Sequence, residues 1–287
     1  MKAFILRFLS SIVLIILFCW ILFSHGKTAV IMFSILSSTF TFILSLEFYN
    51  FFSKKIESLS TLSKVSAIFS FLTPLFIILG LSFNIKFHNI LLFFLFLFFI
   101  FFSVIIIFIS KKYESFMALI FLFFPILIFI IPLTFIIPLY FNFRNSGVNY
   151  PAFLILVTKS GDIGAYVVGM LTAKYMPGGN HKMISSVSPK KSWEGFMGGL
   201  LASIVTSYFC KSFVSDLFSL YGIVILSILL YFFAVLGDLM ESSIKRIAEV
   251  KDSGSIIPGI GGLLDLTDSL ILNTPLFYLI TTQIKEL

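Results

Sequence analysis

Hydrophobic and polar positions follow one another along this chain in long blocks rather than in short amphipathic periods. Apolar runs of membrane-spanning length are separated by short polar segments. A helix needs about 20 mainly apolar residues to cross a bilayer. The pattern therefore predicts an all-α, polytopic integral membrane protein with about nine transmembrane helices. The predicted spans are 3–24, 29–46, 65–83, 90–110, 116–142, 151–171, 196–213, 218–236 and 269–284.

The 116–142 run is long and contains Pro125, Pro132 and Pro138, so it is either one kinked helix or two short ones. Charge favours one helix. With a cytoplasmic N-terminus, 14 of the 20 basic residues fall on the inner face and five on the outer face. This asymmetry fits the positive-inside rule, and splitting the run would spoil it. Loops 172–195 and 237–268 then face the cytoplasm, as in a bacterial-type inner or cell membrane.

Composition agrees with a membrane protein, because the chain is 59% hydrophobic and only 11% charged. A soluble domain is about one-quarter charged. The net charge is +7, but the basic residues are scattered in short loops, so we expect no nucleic-acid partner. The first apolar run is interpreted as a membrane helix, with a cleaved signal peptide as the alternative.

Acidic residues are concentrated in the second half of the chain, where nine of the 13 lie between positions 160 and 270. Residues 1–150 are therefore predicted to be a transmembrane scaffold of about five helices. Residues 151–287 are predicted to be a catalytic transmembrane region with two cytoplasmic loops.

The segment "GDLMESSIKRIAEVKD", residues 237–252, predicts a helix with one charged face. Asp238, Glu241, Ser242, Lys245 and Glu249 lie at i, i+3, i+4, i+7 and i+11. A solvated helix extension explains Glu249 adequately. Asp238 lies near the end of an apolar run, where a charge is costly and usually functional.

Downstream, "GIGGLLDLTDS" combines a tight turn at Gly261 and Gly262 with two carboxylates, Asp265 and Asp268. Acidic residues favour helix N-termini, which explains one aspartate but not two within reach of Asp238. Clustered carboxylates repel one another unless a cation joins them. Oxygen ligands of this kind suit Mg²⁺.

Two further segments carry candidate chemistry. In "SPKKSWEG", Ser188 and Pro189 predict an N-cap and first helical position, which puts Lys190 and Lys191 in the first turn. Cations there oppose the helix dipole, so we predict a bound anion; a positive-inside anchor pair is the alternative.

In "TKSGDIGAY", Lys159 and Asp162 lie within the predicted sixth span, where they either pair with each other or face a polar cavity. Carboxylates for a divalent cation, cations for phosphates and a glycine-rich turn together favour phosphoryl or nucleotidyl transfer. The location at the bilayer indicates a lipid substrate.

These motifs resemble the phosphatidate cytidylyltransferase family, also called CDP-diacylglycerol synthases. "SPKKSWEG", "GDIGAY", Gly237-Asp238 and Glu241-Ser242 match the family, whereas Ile260 and Leu266 stand where it has His and Arg. The family's C-terminal signature is represented by Ser242, Lys245, Arg246, Lys251, Asp252, Gly254, Pro258, Gly259, Gly261, Gly262, Asp265 and Asp268.

The resemblance implies an enzyme that joins CTP to phosphatidate, giving CDP-diacylglycerol and pyrophosphate. It implies Mg²⁺ held by Asp238, Asp265 and Asp268, with a second cation left open. Lys245 and Asp162 complete the expected catalytic set. We expect membrane lipids as surroundings and a homodimer as the assembly. The expected substrate-binding residues are Ser188, Lys190, Lys191, Glu241, Arg246, Lys251, Asp252, Gly261 and Gly262.

Three rival interpretations remain open, the third of which is a non-enzymatic scaffold. The first is a related membrane transferase that uses another lipid or nucleotide. The second is a transporter in which Lys159 and Asp162 line a permeation path.

Overall fold

The structure is a computed structural model of the 287-residue chain. It describes residues 27–52, 59–91, 123–142, 149–250, 253–254 and 261–286, with a few isolated positions besides. The predicted spans 3–24 and 90–110 lie largely outside these residues. The chain divides into two compact units, Met1–Pro138 with Asp252–Leu264, and Leu139–Lys251 with Asp265–Leu287. The functional division at residue 150 stays a prediction.

In the first unit, helices α1 (Lys27–Phe52) and α2 (Leu59–Ser82) pack through small polar residues. The Thr41 hydroxyl donates a hydrogen bond of 2.6 Å to the Ser70 carbonyl oxygen. The hydroxyls of Ser45 and Ser66 lie 3.4 Å apart. Small hydroxyl residues let apolar helices approach closely and bond across the interface.

The proline-rich run forms a π-helix (Ile126–Ile130) followed by α3 (Ile131–Thr134) and α4 (Ile136–Asn142). Each proline removes a backbone donor, which favours local changes of helical geometry. The segment nevertheless forms one candidate span, Phe123–Phe141, as predicted for a single kinked helix.

Glu47 is a buried acid of the first unit, only 1% exposed. Its two carboxylate oxygens accept hydrogen bonds of 2.9 Å from the backbone N–H groups of Leu263 and Leu264. These are the first two residues of helix α8 (Leu263–Ile271). A helix N-terminus presents unpaired N–H groups and partial positive charge, so Glu47 stabilises the start of α8.

The first long helix of the second unit is α5 (Tyr150–Tyr175), in which Asn149 is the N-cap and accepts a hydrogen bond from the N–H of Ala152. A hairpin of β1 (Lys182–Ile184) and β2 (Ser188–Ser192) leads into α6 (Trp193–Phe209). A short 3₁₀ turn (Lys211–Phe213) precedes α7 (Leu220–Ile247). From Asp265 onward the unit continues through α8 and then α9 (Asn273–Glu286).

Close helix contacts in the second unit depend on glycine. A Cβ atom on Gly164 of α5 would lie 2.9 Å from the carbonyl oxygen of Gly198 in α6. A Cβ on Gly161 would lie 2.6 Å from the ring of Tyr231 in α7. Helices α5, α6 and α7 therefore approach at distances that larger residues would prevent.

Five described segments are long and apolar enough to cross a membrane, and a shorter apolar helix covers Ser66–Ser82. This confirms a mostly helical protein with several candidate spans. The five are Val30–Asn50, Phe123–Phe141, Tyr150–Tyr175, Leu220–Ile247 and Leu263–Lys285.

Two details of the sequence prediction need correction. The described chain is not purely α, because β1 and β2 form a small antiparallel sheet. Glu249 does not share the helical face of Asp238, because α7 ends at Ile247 and Glu249 has a φ of 59°. The N–H of Val250 donates to the carbonyl of Lys245, so the helix closes with the left-handed geometry of a Schellman-type end.

Candidate active site

Three carboxylates from two helices form the centre of the candidate site. Asp238 and Glu241 lie on α7 and Asp268 lies on α8, and each offers an oxygen within 4.8 Å of the other two. The approach of α8 depends on Gly237, since a Cβ atom there would overlap the carbonyl oxygen of Asp268. The i, i+3 spacing on α7 directs Asp238 and Glu241 to one side, as the sequence predicted.

Lysines pair with the neighbouring carboxylates. Lys191 Nζ lies 2.7 Å from Asp238 Oδ2. Lys245 Nζ lies 2.7 Å from both Glu241 Oε2 and Asp265 Oδ1. The structure therefore brings Glu241 to Asp238 and Asp268, whereas Asp265 contacts the Lys245 ammonium. Asp265 as a metal ligand stays a prediction.

The carboxylate cluster fits a divalent cation. Glu241 is fully buried, and its Oε1 atom has no hydrogen-bond partner among the described residues. A buried charged oxygen without a donor is costly, and a cation bound there would remove the cost. The site contains more carboxylates than lysines, which leaves excess negative charge. The five carboxylates are those of Asp162, Asp238, Glu241, Asp265 and Asp268, and the three lysines paired with them are Lys159, Lys191 and Lys245. Oxygen-only donor sets of this kind suit Mg²⁺.

Asp162 approaches this cluster from α5 through a partly buried polar contact. Its Oδ2 atom accepts hydrogen bonds from Lys159 Nζ at 3.1 Å and from Ser269 Oγ at 2.9 Å. Lys159 also donates to Ser269 Oγ at 2.8 Å. Lys159 and Asp162 were predicted either to pair or to face a polar cavity; the two side chains pair, and Asp162 also lines a cavity. Sequence reasoning missed Ser269, although this residue directly follows Asp268.

The predicted helix start at Ser188 is wrong. Ser188 begins strand β2, and α6 begins at Trp193, with the Ser192 hydroxyl accepting from the N–H of Gly195. This start puts Glu194 rather than lysine in the first turn, which complements the helix dipole. Consecutive strand residues point to opposite sides, so Lys190 is exposed while Lys191 is partly buried against Asp238.

The hairpin is held by two polar contacts. Arg246 Nε donates to the carbonyl oxygen of Val187 at 3.3 Å. Glu194 accepts the backbone N–H of His181, and its Oε1 lies 2.6 Å from His181 Nδ1. The hydrogen bond from the His181 side chain lowers the pKa of Glu194. Arg246 thus contacts the hairpin that carries Lys190 and Lys191.

A cavity of about 360 Å³ opens beside the carboxylates. Its wall combines charged groups with the aromatic and apolar surfaces of Tyr166, Phe196, Tyr231 and Val235. A polar end and an apolar wall suit a ligand that carries both phosphates and an uncharged part. The predicted site residues that line it are Asp162, Ser188, Lys190, Lys191, Asp238, Asp265 and Asp268.

The remaining predicted residues have other positions. Lys251 and Asp252 lie outside the described residues, as does Ile260. Gly261 has a φ of 125°, a conformation that favours glycine. A Cβ on Gly262 would overlap the Ser253 hydroxyl, so this glycine permits close packing of the loop. Substrate binding by the two glycines stays a prediction.

The sequence profile of the cytidylyltransferase family matches residues 5–284 of this chain. The chain belongs to the cytidylyltransferase family. The match covers the carboxylate cluster, the lysine-bearing hairpin and the N-terminal helices alike. The family assignment therefore extends beyond the C-terminal motifs on which the sequence resemblance rested.

Curated relatives include three named phosphatidate cytidylyltransferase. The protein from Staphylococcus saprophyticus is 41% identical over 141 residues, which are 49% of this chain and 52% of the relative. That from Staphylococcus epidermidis is 38% identical over 144 residues, 50% of this chain and 53% of the relative. The protein from Staphylococcus aureus is 35% identical over 144 residues, which are 50% of this chain and 53% of the relative. The chain thus spans about half the length of the curated relatives it matches.

Proposed function

We propose that this cytidylyltransferase-family chain transfers the cytidylyl group of CTP to phosphatidate, producing CDP-diacylglycerol and pyrophosphate. The observation that carries the proposal is the cluster of Asp238, Glu241 and Asp268 beside a cavity that Lys190 and Lys191 line. The names of the curated relatives support the same reaction.

In this reaction a phosphate oxygen of phosphatidate attacks the α-phosphorus of CTP. A new P–O bond forms there, and the bond from the α-phosphorus to the oxygen that bridges to the β-phosphate breaks. Pyrophosphate leaves with the electron pair of that bond. No general base is required, because a phosphate monoester is already anionic near pH 7.

The carboxylates are proposed to hold Mg²⁺ through Asp238, Glu241 and Asp268. When bound, the ion would neutralise phosphate charge and act as a Lewis acid. Asp265 and a second cation belong to the same proposal, because Asp265 lines the cavity next to this cluster.

The cationic residues divide into two proposed roles. Lys190 is exposed at the cavity and free to contact a phosphate, while Lys191 balances Asp238. Lys245 holds Glu241 and Asp265 in place by its two ion pairs. Arg246, Lys251 and Asp252, with Ser188, are proposed to contribute to substrate binding, as the family motif implies.

The membrane setting of the proposal rests on the apolar helices. We propose about nine spans, a cytoplasmic N-terminus and a cytoplasmic active site, because positive charge concentrates on that side in this topology. A lipid phosphate and soluble CTP meet only at a bilayer surface. A homodimer is the proposed assembly.

The direct test incubates the full chain, purified in detergent, with phosphatidate, Mg²⁺ and CTP labelled at the α-phosphorus. Label is expected in the lipid fraction, whereas label at the γ-phosphorus should appear in pyrophosphate. Folded protein that produces no labelled lipid would exclude the reaction. Parallel arms with dCTP, ATP and other acidic lipids test the related-transferase alternative.

A further inference from the structure

Ser269 lies between the carboxylate cluster and the partly buried Lys159–Asp162 ion pair of α5. Its side chain is completely buried within helix α8. A serine hydroxyl offers one donor and accepts through its lone pairs. Both capacities are used here, since Oγ donates to Asp162 at 2.9 Å and accepts from Lys159 at 2.8 Å.

The three polar groups form a closed triangle, because Lys159 Nζ also lies 3.1 Å from the same Asp162 oxygen. Each member therefore contacts the other two. A closed arrangement fixes the hydroxyl direction and hence the position of the Ser269 backbone relative to α5.

The backbone of Ser269 in turn holds Asp268. Its N–H donates to Asp268 Oδ1 at 2.6 Å. On the other side, the carbonyl of Asp268 lies against Gly237 of α7. Among the described residues, no lysine forms an ion pair with Asp268, unlike Asp238 and Asp265. The carboxylate direction of Asp268 therefore depends on the peptide group that Ser269 anchors.

We infer that Ser269 is a positioning residue, which couples the Lys159–Asp162 pair of α5 to Asp268 and orients that carboxylate in the cluster. This inference rests on the proposed function for its catalytic consequence, but its effect on cation binding is independent of the reaction. Groups that orient a ligating carboxylate typically affect metal affinity or activity by about 10- to 100-fold when removed.

A second polar contact, between α5 and the first residue of α9, supplies a structural control. Asn273 Nδ2 donates to Thr158 Oγ1 at 3.2 Å, and both residues are fully buried. Asn273 follows Ser269 by four residues, and Thr158 precedes Lys159. Breaking this contact loosens α5 from the C-terminal segment without touching the Lys159–Asp162–Ser269 triangle.

The experiment uses the full chain in detergent and compares Ser269→Ala, Ser269→Thr and Thr158→Val. A further matched control is Ser227→Ala, an equally buried serine that bonds only to the Val224 carbonyl of its own helix. Mn²⁺ binding followed by electron paramagnetic resonance reports on the cluster without any turnover, because Mn²⁺ favours the same oxygen ligands as Mg²⁺.

Ser269→Ala is expected to weaken Mn²⁺ binding by roughly 10-fold and to raise the Mg²⁺ concentration for half-maximal activity similarly. Ser269→Thr keeps the hydroxyl and should restore most of both. Thr158→Val is expected to lower Tm while leaving Mn²⁺ affinity within about two-fold of wild type. Ser227→Ala should also leave Mn²⁺ affinity within about two-fold of wild type.

Equal loss of Mn²⁺ affinity in Ser269→Ala and Thr158→Val would overturn the inference, because helix packing alone would then explain it. Unchanged affinity in Ser269→Ala would overturn it too. If wild type binds Mn²⁺ but makes no lipid product, the proposed function fails, and the binding comparison still decides the role of Ser269.

Discussion

The ammonium group of Lys245 lies 2.7 Å from the carboxylate of Asp265 and holds Glu241 at the same distance. As a result, the two aspartates of α8 have different partners. Asp268 meets Asp238 and Glu241, while Asp265 is balanced by a cation of the chain itself. The helical spacing of Asp265 and Asp268 therefore leads to two different electrostatic environments.

Glu241→Gln and Asp265→Asn are expected to differ in their response to Mg²⁺. Glu241→Gln removes a charge from the cluster, so activity should fall about 100-fold and Mn²⁺ binding should weaken. Asp265→Asn leaves Lys245 paired with Glu241, so the half-maximal Mg²⁺ concentration should move by less than about 10-fold. Titrating Mg²⁺ for both variants measures the difference. Equal or greater Mg²⁺ dependence in Asp265→Asn would instead support Asp265 as a ligand of the proposed cations.

Gly237→Ala is expected to displace α8 from α7. The added methyl group would overlap the backbone carbonyl of Asp268, which no side-chain rotation relieves. Overpacking of this kind costs about 1–3 kcal/mol, and the shift of Asp268 should also reduce Mn²⁺ affinity. Thermal unfolding in detergent and Mn²⁺ binding check both effects.

Gly222→Ala is the matched control for that substitution, since it lies on the same helix and its nearest neighbour would be 3.5 Å away. It should be neutral or stabilising by roughly 0.5–1 kcal/mol, because alanine favours helix. Comparable losses of stability and Mn²⁺ affinity in Gly237→Ala and Gly222→Ala would indicate that helix flexibility, rather than the Asp268 contact, causes the effect.

Lys191 and Lys190 are expected to respond differently to ionic strength. Lys191→Ala leaves the partly buried Asp238 without its ion-pair partner, so activity should fall strongly at every salt concentration. Lys190 is exposed, so Lys190→Ala should mainly raise KM for CTP, by a factor that shrinks between low and high salt. Steady-state kinetics at two ionic strengths separate the two. A salt-independent effect of Lys190→Ala would contradict its role as an exposed phosphate contact.

Local spacing predicted part of this site correctly. The shared face of Asp238, Glu241 and Lys245 follows from the helical period, and α7 shows it. Spacing did not reveal which partner each carboxylate would meet. Ser269 contacts Asp162 across 107 residues of sequence, and Lys191 bonds to α7 from a hairpin. Such pairs depend on tertiary packing rather than on local pattern.

The "SPKKS" segment shows why a cap signal alone was insufficient. Ser188 and Ser192 are both acceptable N-caps, and Pro189 favoured the first. The chain uses Ser192, because the helix then begins with Glu194 rather than with two lysines. A strand avoids the conflict that the sequence indicated between the lysines and the helix dipole, and anion binding by Lys190 and Lys191 stays a prediction.

Glu47 provides a prediction for the first unit, where both of its carboxylate oxygens accept backbone N–H groups at 2.9 Å. Glu47→Ala would leave the N–H groups of Leu263 and Leu264 without these acceptors, at a cost of about 1–3 kcal/mol for each buried donor left unsatisfied. Glu47→Gln keeps one acceptor but loses the charge that complements the helix dipole, so its cost should be smaller.

Thermal unfolding of the full chain in detergent should rank the variants wild type, Glu47→Gln and Glu47→Ala in decreasing Tm. Thr39→Ala is the control, because Thr39 is on the same helix and its hydroxyl bonds only to the Ile35 carbonyl at an exposed position. Its Tm should stay near that of wild type, since exposed substitutions usually change stability by no more than about 0.5 kcal/mol. A Tm for Glu47→Ala equal to that of Thr39→Ala would show that the start of α8 does not depend on the Glu47 carboxylate.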